Sequence, residues 1–402
     1  HEKAYDIKVW CLGNEMDGPW QLGHKNAEDY ATVAADVARG MRQIGENLQL
    51  VACGSSNRSM ATFGAWEETV LEKTYDLVDH ISLHTYYEDL GDTQEFLIIS
   101  TDLDYMINEV CNVADAVKAK IRSDKTITLS LDEWNVWNLS KFQAMERPKE
   151  WLPAQRVIED EYTFKDAVVL GNLLISILRR SDRVKMACIA QLVNVIAPIR
   201  AEAGQSAWRQ TTFFPFAYTS RFGRGKTLIT RIEAPAIKSA RFGDVDAIDA
   251  ITTYDEKTKK VAIFVVNRSL TETIDTSVLL SGFKNLKVED QVTMESSDWM
   301  ATNNASNPNK VHPQEYTMGI KYELKCFKGD VVKAERAVLK NLAKEPFYYT
   351  ALKLAGKDTY KEKAAKPEVT AKKKKAAKPE LVDKANGMVK VKMPKTVKEA
   401  ME

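Results

Sequence analysis

Two glutamates at the ends of apolar runs carry most of the chemistry written in this sequence. Glu15 closes "VWCLGNEMDGPW" (residues 9–20) and Glu133 sits within "TITLSLDEWNVW" (residues 126–137). Each follows a strand-like stretch, and each has tryptophans near it: Trp20 in the first case, Trp134 and Trp137 in the second. Two carboxylates facing one another can cleave a glycosidic bond, one as acid/base and one as nucleophile or base. Trp20, Trp134, Trp137 and Tyr86 could offer the apolar faces on which sugar rings stack. A lone glutamate at a strand end is ordinarily a solvated loop residue, so the weight rests on strand, edge and aromatic neighbours coinciding twice. Asn108–Glu109 repeats the Asn-Glu pair of residues 14 and 15, but lies inside an amphipathic helical pattern with no strand before it. It reads as structural.

Further polar residues fall on the same edge. "SLHTYY" (residues 82–87) puts His84 and Tyr86 at the end of another apolar run, and "AQLVN" (residues 190–194) does so for Gln191. For His84 and Tyr86, a satisfied core group and a site residue are equally good readings of position alone. No HExxH and no clustered Cys/His spacing suggests a metal, and "FGRGKT" (residues 222–227) is not a phosphate loop, because Ser220 stands where the pattern needs glycine. No cofactor is expected.

The elements that must position these residues alternate over the first half of the chain. Short apolar runs at Asp6–Leu12, Leu48–Cys53, His80–His84, Thr126–Leu131 and Val184–Leu192 read as parallel strands buried on both faces. Helical stretches such as Asn26–Ile44 and Leu103–Ile121 separate them, the repeat of an α/β fold with right-handed crossovers. Five strands fit an open doubly wound sheet or part of an eightfold barrel. In a barrel, Glu15 and Glu133 would end strands three steps apart at the carboxyl edge, where catalytic groups gather. After about residue 224 the rhythm turns all-β. Ala247–Tyr254, Lys260–Asn267 and Thr273–Leu280 are strands, a hairpin turn falls at Asp255–Lys260, and a sandwich or jelly roll runs to about residue 315. A mixed segment follows to 350. Residues 351–402 hold 15 lysines against 7 acidic residues, and their one aromatic is Tyr360, so the tail should be largely disordered.

Bulk properties exclude more than they assign. The net charge of +1 gives no overall attraction to nucleic acid or membrane, although the lysine-rich end leaves the rest of the chain mildly acidic. The longest apolar stretch, Val168–Leu178, is interrupted by Gly171, Asn172 and Ser176 and is too short to span a bilayer. Five scattered cysteines without a CxxC pair favour free thiols in a reducing compartment.

"WCLGNEMDGPWQ", "SLHTYY", "DEWNVW", "WRQTTFFPF" (residues 208–216) and "FGRGKTL" (residues 222–228) closely resemble the α-L-arabinofuranosidases of glycoside hydrolase family 51, over residues 5 to about 310. The resemblance implies a retaining exo-enzyme with a (β/α)8 barrel joined to a β-sandwich. It makes Glu15, after strand four, the acid/base and Glu133, after strand seven, the nucleophile. Asn14 would bond the sugar 2-hydroxyl, Tyr86 would donate to Glu133 with His84 beside it, and Trp137 and Gln191 would line the sugar pocket. The chain would hold barrel strands four to eight in residues 1–223 and an incomplete sandwich in 224–315, with the first three strands lacking. The expected substrates are terminal arabinofuranosyl groups of arabinan, arabinoxylan and their oligosaccharides, with no nucleic-acid or membrane partner. The full-length protein is expected to be a cytoplasmic homo-oligomer. Another retaining barrel glycosidase, a β-xylosidase or endoglucanase, is the alternative within enzymes; a non-catalytic carbohydrate-binding fragment is the alternative outside them.

Overall fold

The computed structural model describes residues 5–344 apart from 46, 147–149, 151, 152, 154, 157, 290 and 314, together with 348, 349, 352 and 388–391. It divides into two compact units, residues 1–268 and 269–402. In the first unit, β1 (Val9–Cys11), β2 (Gln49–Ala52), β3 (His80–Tyr87), β4 (Thr128–Val136) and β5 (Val184–Ile189) form one sheet in sequential order. Every neighbouring pair is parallel. The expected alternation is present, with shorter outer strands and longer central ones than the apolar runs suggest. β3 and β4 each continue through the polar residues read as their ends, because the ladder between them runs on to Tyr87 and Val136.

The crossovers are helical for local reasons. α1 (Ala27–Ile44) begins where the Asn26 side chain accepts from the Asp29 amide, and it turns Tyr30, Ala31, Ala34, Ala35 and Ala38 inward. α2 (Ala65–Thr74) lays Trp66 flat on Tyr30, with ring centroids 5.4 Å apart and planes at 14°. The Trp66 indole donates to the Cys53 carbonyl at 2.9 Å, fixing the helix to the end of β2. After the short α3 (Thr93–Leu97), α4 (Ser100–Ile121) buries Leu103, Met106, Ile107, Val110, Ala114 and Val117. Those positions follow the three-and-four spacing of one helix face. α5 (Leu139–Ala144) is a brief turn, and α6 (Phe164–Arg179) opens on a capping box between Thr163 and Asp166. β1 and β5 lie at the two sides of the sheet, and all three residues of β1 are exposed, against the expectation of strands covered on both faces.

Beyond β5 come a small hairpin of β6 (Ile199–Arg200) and β7 (Trp208–Arg209), then α7 (Phe213–Phe222). β8 (Lys226–Leu228), β9 (Ala236–Ser239), β10 (Gly243–Asp246), β11 (Ile248–Asp255) and β12 (Lys260–Asn267) are antiparallel, as the change of rhythm foretold. They belong to the first compact unit. Buried charges fasten them there: Arg179 of α6 reaches Asp104 at 2.8 Å and also Asp249 of β11, and Asp249 faces Arg268 at 3.5 Å.

In the second unit, β13 (Thr276–Leu279) is followed by two helices, α8 (Glu315–Cys326) and α9 (Val331–Lys344), where the sequence offered only a mixed segment. Val338 and Tyr349 form the centre of their small core. Within the lysine-rich end, β14 (Met388–Val391) pairs antiparallel with β13. Apart from Leu352, the remainder of that end lies outside the described residues. No helix among the described residues is long and apolar enough to cross a membrane.

Candidate active site

The loop after β1 delivers Glu15 through a constrained backbone. Gly13 has φ 143°, and Glu15 itself stands in the left-handed region at φ 44°. That conformation costs a residue with a Cβ roughly 1–3 kcal/mol and persists only where surrounding contacts enforce it. Here a turn closes from the Gly18 amide to the Glu15 carbonyl at 2.9 Å, and the Lys25 amide reaches the Met16 carbonyl at 2.9 Å.

Register brings the second carboxylate to the first. β3 and β4 pair Ser82 with Ser130 and then His84 with Glu133, so β4 carries one extra residue over that interval. Such a bulge re-aims side chains, and here both Asp132 and Glu133 reach the His84 ring. His84 Nδ1 lies 3.1 Å from Glu15 Oε1 and 3.6 Å from Glu133 Oε2, and Nε2 lies 3.0 Å from Asp132 Oδ1. One oxygen each of Glu15 and Glu133 and a ring nitrogen of His84 all fall within 4.8 Å of one another. Tyr86 donates its hydroxyl proton to Glu133 Oε2 at 2.8 Å. Trp137 sets its ring against Tyr86 at 5.1 Å and 74°, and its indole N–H is buried with no hydrogen-bond partner among the described residues.

Four of the seven residues singled out from the sequence, Glu15, Glu133, His84 and Tyr86, therefore meet through direct contacts, and Trp137 packs on the fourth. Asn14 is exposed beside Glu15, and Gln191 is exposed two residues beyond β5. Neither contacts the cluster through a described hydrogen bond. Trp134 does not supply a stacking face: strand alternation turns it away from Glu133, and it is fully buried against Phe216 at 6.4 Å. Trp20 is half exposed, and its indole N–H donates to Glu15 Oε2 at 2.5 Å, while Gln21 donates to the same oxygen at 3.1 Å. The sequence reading missed Asp132 and Gln21. An acidic residue interrupting the apolar run just before Glu133 was the available signal for Asp132.

These contacts set the charges. Burial pushes the Glu15 carboxyl up, but hydrogen bonds from His84, Trp20 and Gln21 together hold it below the ordinary carboxylate value. Burial pushes His84 down, and bonds to Asp132 and Glu15 with the field of Glu133 outweigh it, raising the ring to about 10. Tyr86 is raised by burial and by the neighbouring Glu133 charge, so its proton stays in place to be donated. The free site thus holds a protonated His84 ring against an ionised Glu15. Glu15 in this state is poised as a base, the reverse of the raised value that an acid in the free enzyme would need.

Carboxylates converging at the carboxyl edge of a parallel α/β sheet define a site of the barrel glycosidase class. Comparison with known proteins narrows it. The model of the α-L-arabinofuranosidase C-terminal domain matches residues 132–329. An intracellular exo-α-(1→5)-L-arabinofuranosidase of Streptomyces lividans is 50% identical over 310 residues, covering 77% of this chain and 47% of that protein. Its counterpart 1 in Bacillus subtilis is 47% identical over 312 residues, covering 77% of this chain and 62% of that protein. The solved structure of a family 51 α-L-arabinofuranosidase from Bifidobacterium longum superposes with a TM-score of 0.72 at 42% identity, over 77% of this chain and 63% of that one. The chain is closely similar in sequence and fold to α-L-arabinofuranosidases, among them one of glycoside hydrolase family 51. It spans about half to three-fifths of the length of these relatives.

Proposed function

We propose that this chain carries the catalytic pair of a retaining, exo-acting α-L-arabinofuranosidase, with Glu133 as nucleophile and Glu15 as acid/base. The observation that carries the reading is the convergence of Glu15, His84 and Glu133 within 4.8 Å at the carboxyl edge of the sheet. Retaining enzymes set their carboxyl groups about 5–5.5 Å apart, against about 6.5–9.5 Å when a water must fit between them.

In the first step a Glu133 oxygen attacks the anomeric carbon and the bond to the leaving oxygen breaks. That oxygen takes a proton from Glu15, and an arabinosyl ester forms on Glu133. In the second step Glu15 removes a proton from water, the water oxygen takes the anomeric carbon, and Glu133 is released. The Tyr86 bond holds Glu133 in its attacking position. His84 carries an ionisable proton on the ring nitrogen 3.1 Å from Glu15, and passing it along that hydrogen bond loads Glu15 as the acid. Asn14 bonds the sugar 2-hydroxyl, and Trp137 and Gln191 line the pocket.

The five parallel strands are assigned to strands four to eight of a (β/α)8 barrel in residues 1–223, and residues 224–315 to the accompanying β-sandwich. The substrates are terminal arabinofuranosyl groups of arabinan, arabinoxylan and arabino-oligosaccharides. The relatives named intracellular support a cytoplasmic setting. Incubating the chain with an aryl α-L-arabinofuranoside and following the sugar by proton NMR tests the reading. Release of the α-anomer first supports it. Release of the β-anomer first, or hydrolysis of an aryl xyloside in preference, overturns it.

A further inference from the structure

The cluster that suits sugar chemistry also has the geometry of a metal site. A tetrahedral Zn²⁺ held at about 2.0–2.2 Å by nitrogen and oxygen ligands keeps its donor atoms roughly 3.3–3.6 Å apart. His84 Nδ1 lies 3.1 Å from Glu15 Oε1 and 3.6 Å from Glu133 Oε2. With the two carboxylates also within 4.8 Å of each other, one cation reaches all three donors after small side-chain adjustments. The second observation lies on the far side of the ring. Metal-bound histidines commonly donate their other ring N–H to a carboxylate, which fixes tautomer and orientation. His84 Nε2 has that partner, Asp132 Oδ1 at 3.0 Å. Tyr86, donating to Glu133 Oε2 at 2.8 Å, orients a second ligand in the same way. All three donors are mostly buried, with side-chain exposures of 13%, 5% and 33% for Glu15, His84 and Glu133, so a cation there meets few competing waters.

We propose that Glu15, His84 and Glu133 form a binding site for a divalent transition cation of the Zn²⁺ type, with Asp132 and Tyr86 as its supporting groups and a fourth position left for water. The cation takes the place of the proton on His84 Nδ1 and binds both carboxylates. It is therefore an antagonist of any reaction that needs Glu15 and Glu133 free. The proposal stands on this geometry and does not depend on the glycosidase reading.

The probe is Zn²⁺ itself, titrated into the full 402-residue chain by calorimetry and followed by X-ray absorption at the zinc edge. The expected result is one saturable equivalent, with a first shell of nitrogen and oxygen that includes one imidazole. Glu133→Gln and His84→Gln should abolish that equivalent, and Asp132→Asn should weaken it roughly 10- to 100-fold, the usual cost of losing a supporting carboxylate. Because His84 is buried, Glu133→Gln, the change nearest solvent, decides the matter if His84→Gln does not fold. Cys11 lies within 3.4 Å of Asp132, so Cys11→Ser and Cys188→Ser are made in parallel and should leave binding unchanged. No saturable binding, binding indifferent to Glu133→Gln, or sulfur in the zinc shell overturns the proposal.

Discussion

One imidazole joins an acid of the loop after β1 to an acid of β4: His84 Nδ1 sits 3.1 Å from Glu15 Oε1 while Nε2 sits 3.0 Å from Asp132 Oδ1. With both ring nitrogens engaged by carboxylates, the protonated ring is the form the fold selects, and its value rises from 6.5 to about 10. A group raised on folding contributes stability that is complete below its unfolded value and is lost as pH climbs toward its folded one. The stability of the chain should therefore fall between about pH 6.5 and pH 10 by a His84 contribution that Asp132→Asn diminishes. Each tenfold change in proton affinity is worth about 1.4 kcal/mol. Urea midpoints measured across that window in both proteins check this. Equal pH slopes, or a His84 ring that titrates near 6.5 by NMR, would refute it.

The two glutamates should fail differently. Glu133→Ala removes the attacking atom and should abolish turnover of every arabinofuranoside, with azide restoring a glycosyl azide of inverted configuration. Glu15→Ala should slow substrates with poor leaving groups by roughly 10²–10⁴-fold, the usual worth of a positioned proton donor. Aryl substrates with acidic leaving groups should suffer far less in their first step. A leaving-group series assayed on both variants makes the comparison, and parallel losses across it would mean the roles are misassigned.

Trp20 and Gln21 hold Glu15 ionised against the pull of burial. Trp20→Phe keeps the ring and removes one donor, so the Glu15 carboxyl should titrate at higher pH than in the parent chain. Carbon NMR of labelled glutamate reads the shift directly and needs no activity. An unchanged or lower value would show that the Trp20 contact does not govern this charge.

Two glycines separate close packing from chain flexibility. A Cβ on Gly54 would sit 2.1 Å from the Ser82 carbonyl oxygen, forcing β2 and β3 apart at the base of the site. A Cβ on Gly40, in α1, would meet nothing within 4 Å. Gly54→Ala should cost about 1–3 kcal/mol, as overpacking does. Gly40→Ala should instead gain roughly 0.5–1 kcal/mol, the ordinary helical preference for alanine. Denaturant unfolding with an unchanged slope is the measurement, and a neutral Gly54→Ala would mean the strands part more easily than their ladder implies.

What could be read from the sequence tracks how local each cause is. The strand–helix alternation and the antiparallel pair β11–β12 follow from periodicity and turn chemistry within a few residues, and they stand where expected. The carboxylate pair was legible because each member carried its own strand and aromatic context. Asp132 was not, since its part depends on the extra residue of β4 against β3, which appears only when two strands are paired. Trp20 and Trp134 were misjudged for the same reason. Their neighbours in sequence suggested sugar stacking, whereas one closes onto Glu15 and the other turns into the core by strand alternation. α9 carries apolar residues at helical spacing, Val331, Ala334 and Val338, that the sequence reading passed over, while α8 is less sharply patterned, and their core needs Tyr349 from beyond α9.

The sheet is open at both sides among the described residues: β1 pairs only with β2, and β5 only with β4. An unpaired strand presents a row of backbone donors and acceptors, and natural proteins cover such edges or place charge on them. β1 has neither protection. Val9 and Trp10 are 37% and 44% exposed, and the three-residue strand is Val-Trp-Cys. Pairing with another chain would satisfy the free backbone groups and remove two large apolar side chains from water together. This chain by itself should therefore associate as its concentration rises, and Trp10→Lys, which adds charge to that edge, should weaken the association. The rim carrying Glu15 is continuous with β1, so any such pairing strains the spacing to Glu133, and a displacement of about 1 Å can cost roughly a hundredfold in rate. Specific activity on an aryl arabinofuranoside should be low, should fall further with concentration, and should recover in part in Trp10→Lys. Sedimentation velocity over a hundredfold dilution, run beside the assay, tests both halves. A strictly monomeric parent chain would dispose of the edge argument.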